Sequence, residues 1–139
     1  MIIHLKNKHT LKVDDFTFKC SVGKNGLSKK KVEGDKKTPK GKFSIGPLYY
    51  RQDRISKPQT KIKTIAIKKN MIWCDDSKSN FYNKLSFKHN KIKGEKMFRQ
   101  DFKYNLVLVI NYNTKKPKKN KGSAIFLHLT KNYKKTLGC

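Results

Sequence analysis

The chain has 139 residues, 35% of them hydrophobic, which suits one domain with a single buried core that needs neither metals nor a disulfide framework. Its formal net charge of +26 favours acidic partners such as nucleic acid, an anionic membrane or a negatively charged cell envelope. Only Arg51, Arg54 and Arg99 are arginines among the 35 basic residues, however. Readers of phosphates and base edges favour arginine over lysine, so specific nucleic-acid recognition is not expected. Lys, Asn and Ile are all abundant and share AT-rich codons, so genome composition explains the charge as well as any function does.

No run approaches the ~18 apolar residues of a membrane helix. The opening MIIHLKNKHTLKV lacks the basic stretch and apolar core of a secretory leader. Cys20, Cys74 and Cys139 are odd in number and widely spaced, with no CxxC pair, so neither a disulfide framework nor a zinc site is expected.

In chain order, Ile2–Leu5 and Leu11–Val13 are short strand candidates. Phe16, Phe18 and Cys20 alternate with Thr17, Lys19 and Ser21, the pattern of a half-buried strand. Gly23-Lys24-Asn25-Gly26 is turn chemistry. EGDKKTPKGK (33–42) reads as a loop, Lys42–Tyr50 as a strand and Thr64–Lys68 as another. Asp75–Asn83 is polar and irregular. LVLVI, within Phe102–Tyr112, suits a strand buried on both faces. A basic loop (113–123) leads to a last strand at Ala124–Leu129. This pattern predicts a mainly β domain spanning residues 1–139.

The segment GSAIFLHLTKNYKKTLGC (122–139) carries the first chemical signal. A cysteine nucleophile needs thiolate character, commonly from an imidazole within hydrogen-bond reach. His128 sits on a predicted strand, and Cys139 follows Gly138 eleven positions later. A cysteine after glycine on a loop leaves backbone N–H groups available to an oxyanion. By spacing alone, an incidental His and Cys are the commoner reading.

A second segment, GDKKTPKGKFSIG (34–46), changes the balance. With KNG (24–26), YYRQDR (49–54), WCDD (73–76), NFYN (80–83), LVLVINYN (106–113), GSAIFLH and TLGC in order, the chain resembles the L,D-transpeptidase catalytic domain (YkuD-like) over residues 16–139. That family carries a G-D-x-x-T-P-x-G-x-F segment early, then a strand bearing His and a loop ending in Gly-Cys. The resemblance implies a β-sandwich with long loops and little helix. It implies a cysteine acyltransferase acting on peptidoglycan tetrapeptide stems through a thioester, as transpeptidase or carboxypeptidase. Cys139 would be the nucleophile and His128 the base, with no metal or organic cofactor. The Gly138 and Cys139 N–H groups would serve the oxyanion, and Thr136 or its carbonyl would orient His128. It further implies a periplasmic or cell-envelope location and a monomer.

Two departures stand out. Leu137 occupies a position where relatives carry His, and relatives continue past the cysteine into a closing segment, so a C-terminal piece is expected to be missing. A terminal carboxylate on Cys139 would then raise the thiol pKa. A non-catalytic, strongly basic module that grips cell wall or another polyanion is the alternative function. A sortase-like transpeptidase, suggested by TLGC, is opposed by the GDKKTPKGKF segment.

Other residues have competing readings. Arg51 and Arg54, flanking Asp53, could meet substrate carboxylates or simply pair at the surface. Asp75 and Asp76 suit loop capping better than a paired acid–base role, since neighbours on an extended chain face opposite ways. Trp73 is expected in the core or a pocket wall, Cys20 and Cys74 as small buried residues, and His4, His9 and His89 as ordinary surface residues.

Overall fold

The computed structural model describes residues 1–88 and 91–139; His89 lies outside the described residues. The short alternating runs at the start form an antiparallel meander of β1 (Ile3–Asn7), β2 (Thr10–Val13) and β3 (Phe16–Lys19). Register places Ile3, Val13 and Phe16 in one cross-strand row and Leu5, Leu11 and Phe18 in another, so one face is apolar. None of these six joins the main core cluster. The half-buried strand expected at Phe16–Cys20 is therefore an exposed one, with Phe16 70% and Phe18 51% accessible. Alternation marks which side chains share a face, not whether that face is covered.

The segment read as a loop at 33–42 contains a short strand. β4 (Leu27–Ser28) pairs in parallel with β5 (Thr38–Pro39). Next come β6 (Ile45–Tyr50) and β7 (Thr64–Ala66), then β8 (Met71–Cys74), β9 (Leu85–Phe87) and β10 (Gly94–Lys96), and finally β11 (Leu106–Ile110) and β12 (Phe126–His128). The last two join β6 and β7 in a sheet ordered β12-β11-β6-β7, while β10-β8-β9 form a second sheet. LVLVI is a central strand flanked on both sides, and Val107, Leu108 and Val109 are buried, as its unbroken apolar run predicts.

The two sheets close on one core. Tyr49, Val107, Val109 and Phe126 of the four-stranded sheet meet Met71 and Trp73 of β8, with Ile67, Met97 and Tyr104 completing the cluster. Trp73 packs edge-on against Phe126 at 5.0 Å, a favoured aromatic geometry. The result is the mainly β sandwich expected from sequence. Trp73 and Cys74 are buried as expected, whereas Cys20 is only half-buried.

The last strand starts two residues later than its apolar pattern suggests because Ala124 has φ 52°, outside the extended region. Buried Asn83 holds it there. Its Oδ1 accepts from the Ala124 N–H (3.0 Å) and the Trp73 indole (2.9 Å), and its Nδ2 donates to the Tyr112 and Asn113 carbonyls.

Candidate active site

His128 closes β12, paired with Val107 on the central strand. Its Nδ1 lies 2.7 Å from the Leu129 carbonyl, which can only accept, so Nδ1 carries the proton and Nε2 is left as the basic nitrogen. The Tyr104 ring packs against the imidazole at 5.2 Å and against Phe126 at 6.2 Å. The expectation that Thr136 orients His128 is thus not met: the Leu129 carbonyl and the Tyr104 ring do so. Burial, the Lys103 and Arg99 charges push the His128 pKa down against the Leu129 carbonyl and Glu95, so the ring is neutral at neutral pH.

Thr136 instead builds the turn that carries the thiol. Its hydroxyl donates to the Cys139 carbonyl (2.6 Å) and accepts from the Gly138 N–H (3.2 Å). Its backbone joins the Val22–Lys24 segment through N–H to Val22 O (3.1 Å) and carbonyl to Lys24 N (2.9 Å). Gly138 has φ 142°, a conformation that glycine adopts without strain. The Gly138 N–H is taken by Thr136, whereas the Cys139 N–H has no hydrogen-bond partner among the described residues.

The GDKKTPKGK segment reaches the same turn. Asp35 accepts from the Lys31 ammonium (2.7 Å) and from the Val32 and Lys37 N–H groups (both 2.9 Å). Burial alone would raise its pKa, but these donors outweigh that and hold the carboxyl below its ordinary value. The fixed loop presents Thr38, whose hydroxyl donates to the Cys139 carbonyl at 2.7 Å and accepts from the Gly23 N–H at 2.9 Å. The early family segment is the clamp on the late one.

Cys139 lies against the core cluster. Its thiol donates to the Ala124 carbonyl (3.3 Å), and the Phe126 N–H lowers its pKa by bonding to the sulfur. Burial outweighs that and raises the thiol pKa to about 11, with Glu95 adding to the rise and Lys31 opposing it. Enclosure of the sulfur is thus the main cause of the rise. His128 and Cys139 line one cleft of about 360 Å³, yet among the described residues they make no hydrogen bond to each other. The resting pair is a neutral thiol and a neutral imidazole.

Neither Arg51 nor Arg54 lines this cleft. Arg51 is 2% exposed, its guanidinium forked onto Asp53 (2.7 and 2.8 Å), bonded to the Arg99 carbonyl and stacked 3.5 Å over the Phe98 ring. Arg54 donates to the Gln100 (2.7 Å) and Asp101 (2.9 Å) carbonyls and to Asn105. Both arginines pin the 99–105 segment rather than face a substrate. The arginine in the cleft is Arg99, held by Glu95 and Asp101 and packed 5.1 Å from the Tyr104 ring. Spacing gave no hint of it, because its place in the cleft comes from the segment between β10 and β11. Of the acidic pair, Asp76 caps the Lys78 N–H (3.0 Å) as expected. Asp75 lines the cleft, and burial followed by the Glu33 and Glu95 charges raises its pKa.

The cleft of this mainly β domain thus holds a thiol and a neutral imidazole, group types that cysteine acyl transfer uses. The L,D-transpeptidase catalytic domain family (YkuD) matches residues 2–139, and the chain belongs to that family. Searches of curated proteins and of solved structures found no match.

Proposed function

We propose that the protein is a peptidoglycan L,D-transpeptidase, or L,D-carboxypeptidase, working through a thioester on Cys139. Membership in the family supports the reaction class. The observation that carries the residue assignment is the tautomer: the Leu129 carbonyl fixes the proton on Nδ1 of His128, leaving Nε2 as a base within the cleft that Cys139 lines.

In this reading, substrate entry draws the sulfur away from the Ala124 carbonyl. The thiol proton passes to His128 Nε2 as the sulfur attacks the carbonyl of the third stem residue, a diamino acid. The carbonyl oxygen, now negative, meets the Cys139 N–H. Collapse breaks the bond to the fourth residue, D-alanine, whose amine leaves with the proton from His128. An amine of a second stem then attacks the thioester to complete transpeptidation, while water would complete carboxypeptidation. The peptidoglycan substrate implies a cell-envelope location. Among the described residues no helix is long and apolar enough to cross a membrane.

Incubation with a purified tetrapeptide stem and intact-mass measurement tests this. A mass increase equal to the tripeptide acyl group, absent in Cys139→Ala, supports the enzyme. The resting neutral thiol favours a second reading, a basic wall-binding module without chemistry. Retention on peptidoglycan with no acyl adduct in the unmodified protein would establish it instead.

A further inference from the structure

Among so many lysines, one is unlike a surface residue. Lys31 is 5% exposed, yet it lines the cleft beside Gly138 and Cys139. Its stem lies along Gly122, where an added Cβ would come within 2.7 Å of Lys31 Cε. Its ammonium lies 3.5 Å from where a Cβ on Gly138 would project. We propose that the Lys31 ammonium, pinned by Asp35 beside the Gly138–Cys139 turn, is a positioning residue that supplies the positive charge against which the Cys139 sulfur becomes an anion. This rests on the acyl-transfer reading above and extends it to a group outside the thiol–imidazole pair.

A structural explanation alone falls short. The Lys31–Asp35 pair is an i,i+4 ion pair whose lysine side chain is 4% exposed. Burying an ammonium is costly, and apolar replacements for buried ion pairs are commonly neutral or stabilising. The loop does not need the charge, since the Val32 and Lys37 N–H groups already fix Asp35. A hydrophobic side chain would fill the space along Gly122 without that cost. The Asp35 bond also uses only one of the three ammonium protons, and no other acceptor takes the remaining two among the described residues.

The charges around the sulfur come from every neighbouring element. Glu95 on β10 opposes the anion, whereas Lys31 favours it. His128 on β12 is neutral, and Tyr104 before β11 is a buried phenol whose pKa is raised. Glu33, Asp75, Arg99, Lys103, Lys131, Lys134 and Lys135 line the wider cleft. Lys31 is thus the basic side chain whose field at the sulfur opposes that of Glu95.

The test is the pH dependence of iodoacetamide alkylation, followed at the Cys139 peptide by mass spectrometry, with the Cys20 peptide as internal reference and the buried Cys74 peptide as a monitor of unfolding. Lys31→Met is expected to move the Cys139 profile to higher pH and to slow alkylation at pH 8 by about threefold or more, because thiolate is the reacting form. Lys31→Arg should restore the profile. Lys31→Gln, which keeps a donor to Asp35 without charge, covers the case in which the Met variant fails to fold and should also shift it. An unchanged Cys139 profile in a folded Met or Gln variant overturns the proposal and leaves Lys31 as a loop staple, even if melting temperature falls. Acyl-adduct formation is read in parallel, so absence of an adduct in unmodified protein counts against the enzyme reading alone, while a shifted profile still supports the role of Lys31.

Discussion

The Thr38 hydroxyl and the Cys139 carbonyl form a 2.7 Å hydrogen bond across 101 positions of sequence. The same hydroxyl oxygen accepts from the Gly23 N–H, so one side chain ties three segments together. Thr38→Val keeps the shape and deletes both bonds. It should cost about 1–2 kcal/mol of stability, since each lost bond is worth about 1 kcal/mol. Under the proposed mechanism, acyl-adduct formation should fall by more than the stability loss explains, because the turn carrying the Cys139 N–H loses one of its two side-chain anchors. Urea denaturation beside adduct kinetics checks this, and equal rates in folded variant and parent would refute it.

Arg51 and Arg54 should separate cleanly by variant. Arg51→Ala removes a buried guanidinium that bridges Asp53, the Arg99 carbonyl and the Phe98 ring, and should cost about 2–4 kcal/mol. Arg54→Ala, at an exposed position, should cost under about 1 kcal/mol. Neither should change the concentration of stem peptide needed for half-maximal adduct formation in folded protein. A large change for either would return it to the substrate.

Asn83→Ala leaves the Ala124 N–H, the Trp73 indole and two carbonyls without their partner, and forces alanine into φ 56°. Unsatisfied buried groups cost about 1–3 kcal/mol each, so a loss of at least about 3 kcal/mol is expected. Asn83→Asp keeps the acceptor but loses both Nδ2 donations, and should also destabilise. Thermal melts followed by tryptophan fluorescence report this directly, because Trp73 is the chain's single tryptophan.

The pH dependence of stability has a definite sign at each end. The folded Cys139 pKa of about 11 lies above its ordinary 9.0, so its contribution is complete below pH 9 and is lost as pH rises toward 11. The folded His128 pKa lies below 6.5, so its contribution is present above that value and is lost as pH falls through the folded pKa. Urea midpoints for Cys139→Ala should therefore decline less than the parent's between pH 8.5 and 11, and those for His128→Gln less than the parent's between pH 7 and 5. Parallel decline in parent and variant would contradict the assignment.

Much of this was legible in the residues, and the exceptions share a cause. LVLVI predicted its own central position because a run without polar residues fits only a strand covered on both faces. The late Gly-Cys turn and the early GDKKTPKGKF loop were visible as family segments, but the bond that joins them was not, since it depends on three-dimensional return of the chain. Arg51 and Arg54 misled because a guanidinium looks the same whether its fork faces a substrate or the protein's own carbonyls. Lys31 was hidden by abundance: its chemistry comes from burial, which composition does not report. Phe16 and Phe18 showed the alternation of a half-buried strand, although nothing in the core packs on them.

The clamp between residues 22–38 and 136–139 also sets an order of events. Contacts separated by a hundred residues carry a larger loop-closure cost than local hairpins such as the meander, so the clamp is expected to form after them. Until Thr38 meets the Cys139 carbonyl, the turn that carries the thiol has only its Thr136 anchor. Ready alkylation of Cys139 at neutral pH is therefore the expected signature of a chain whose clamp has not closed, since the folded turn encloses the sulfur and raises its pKa.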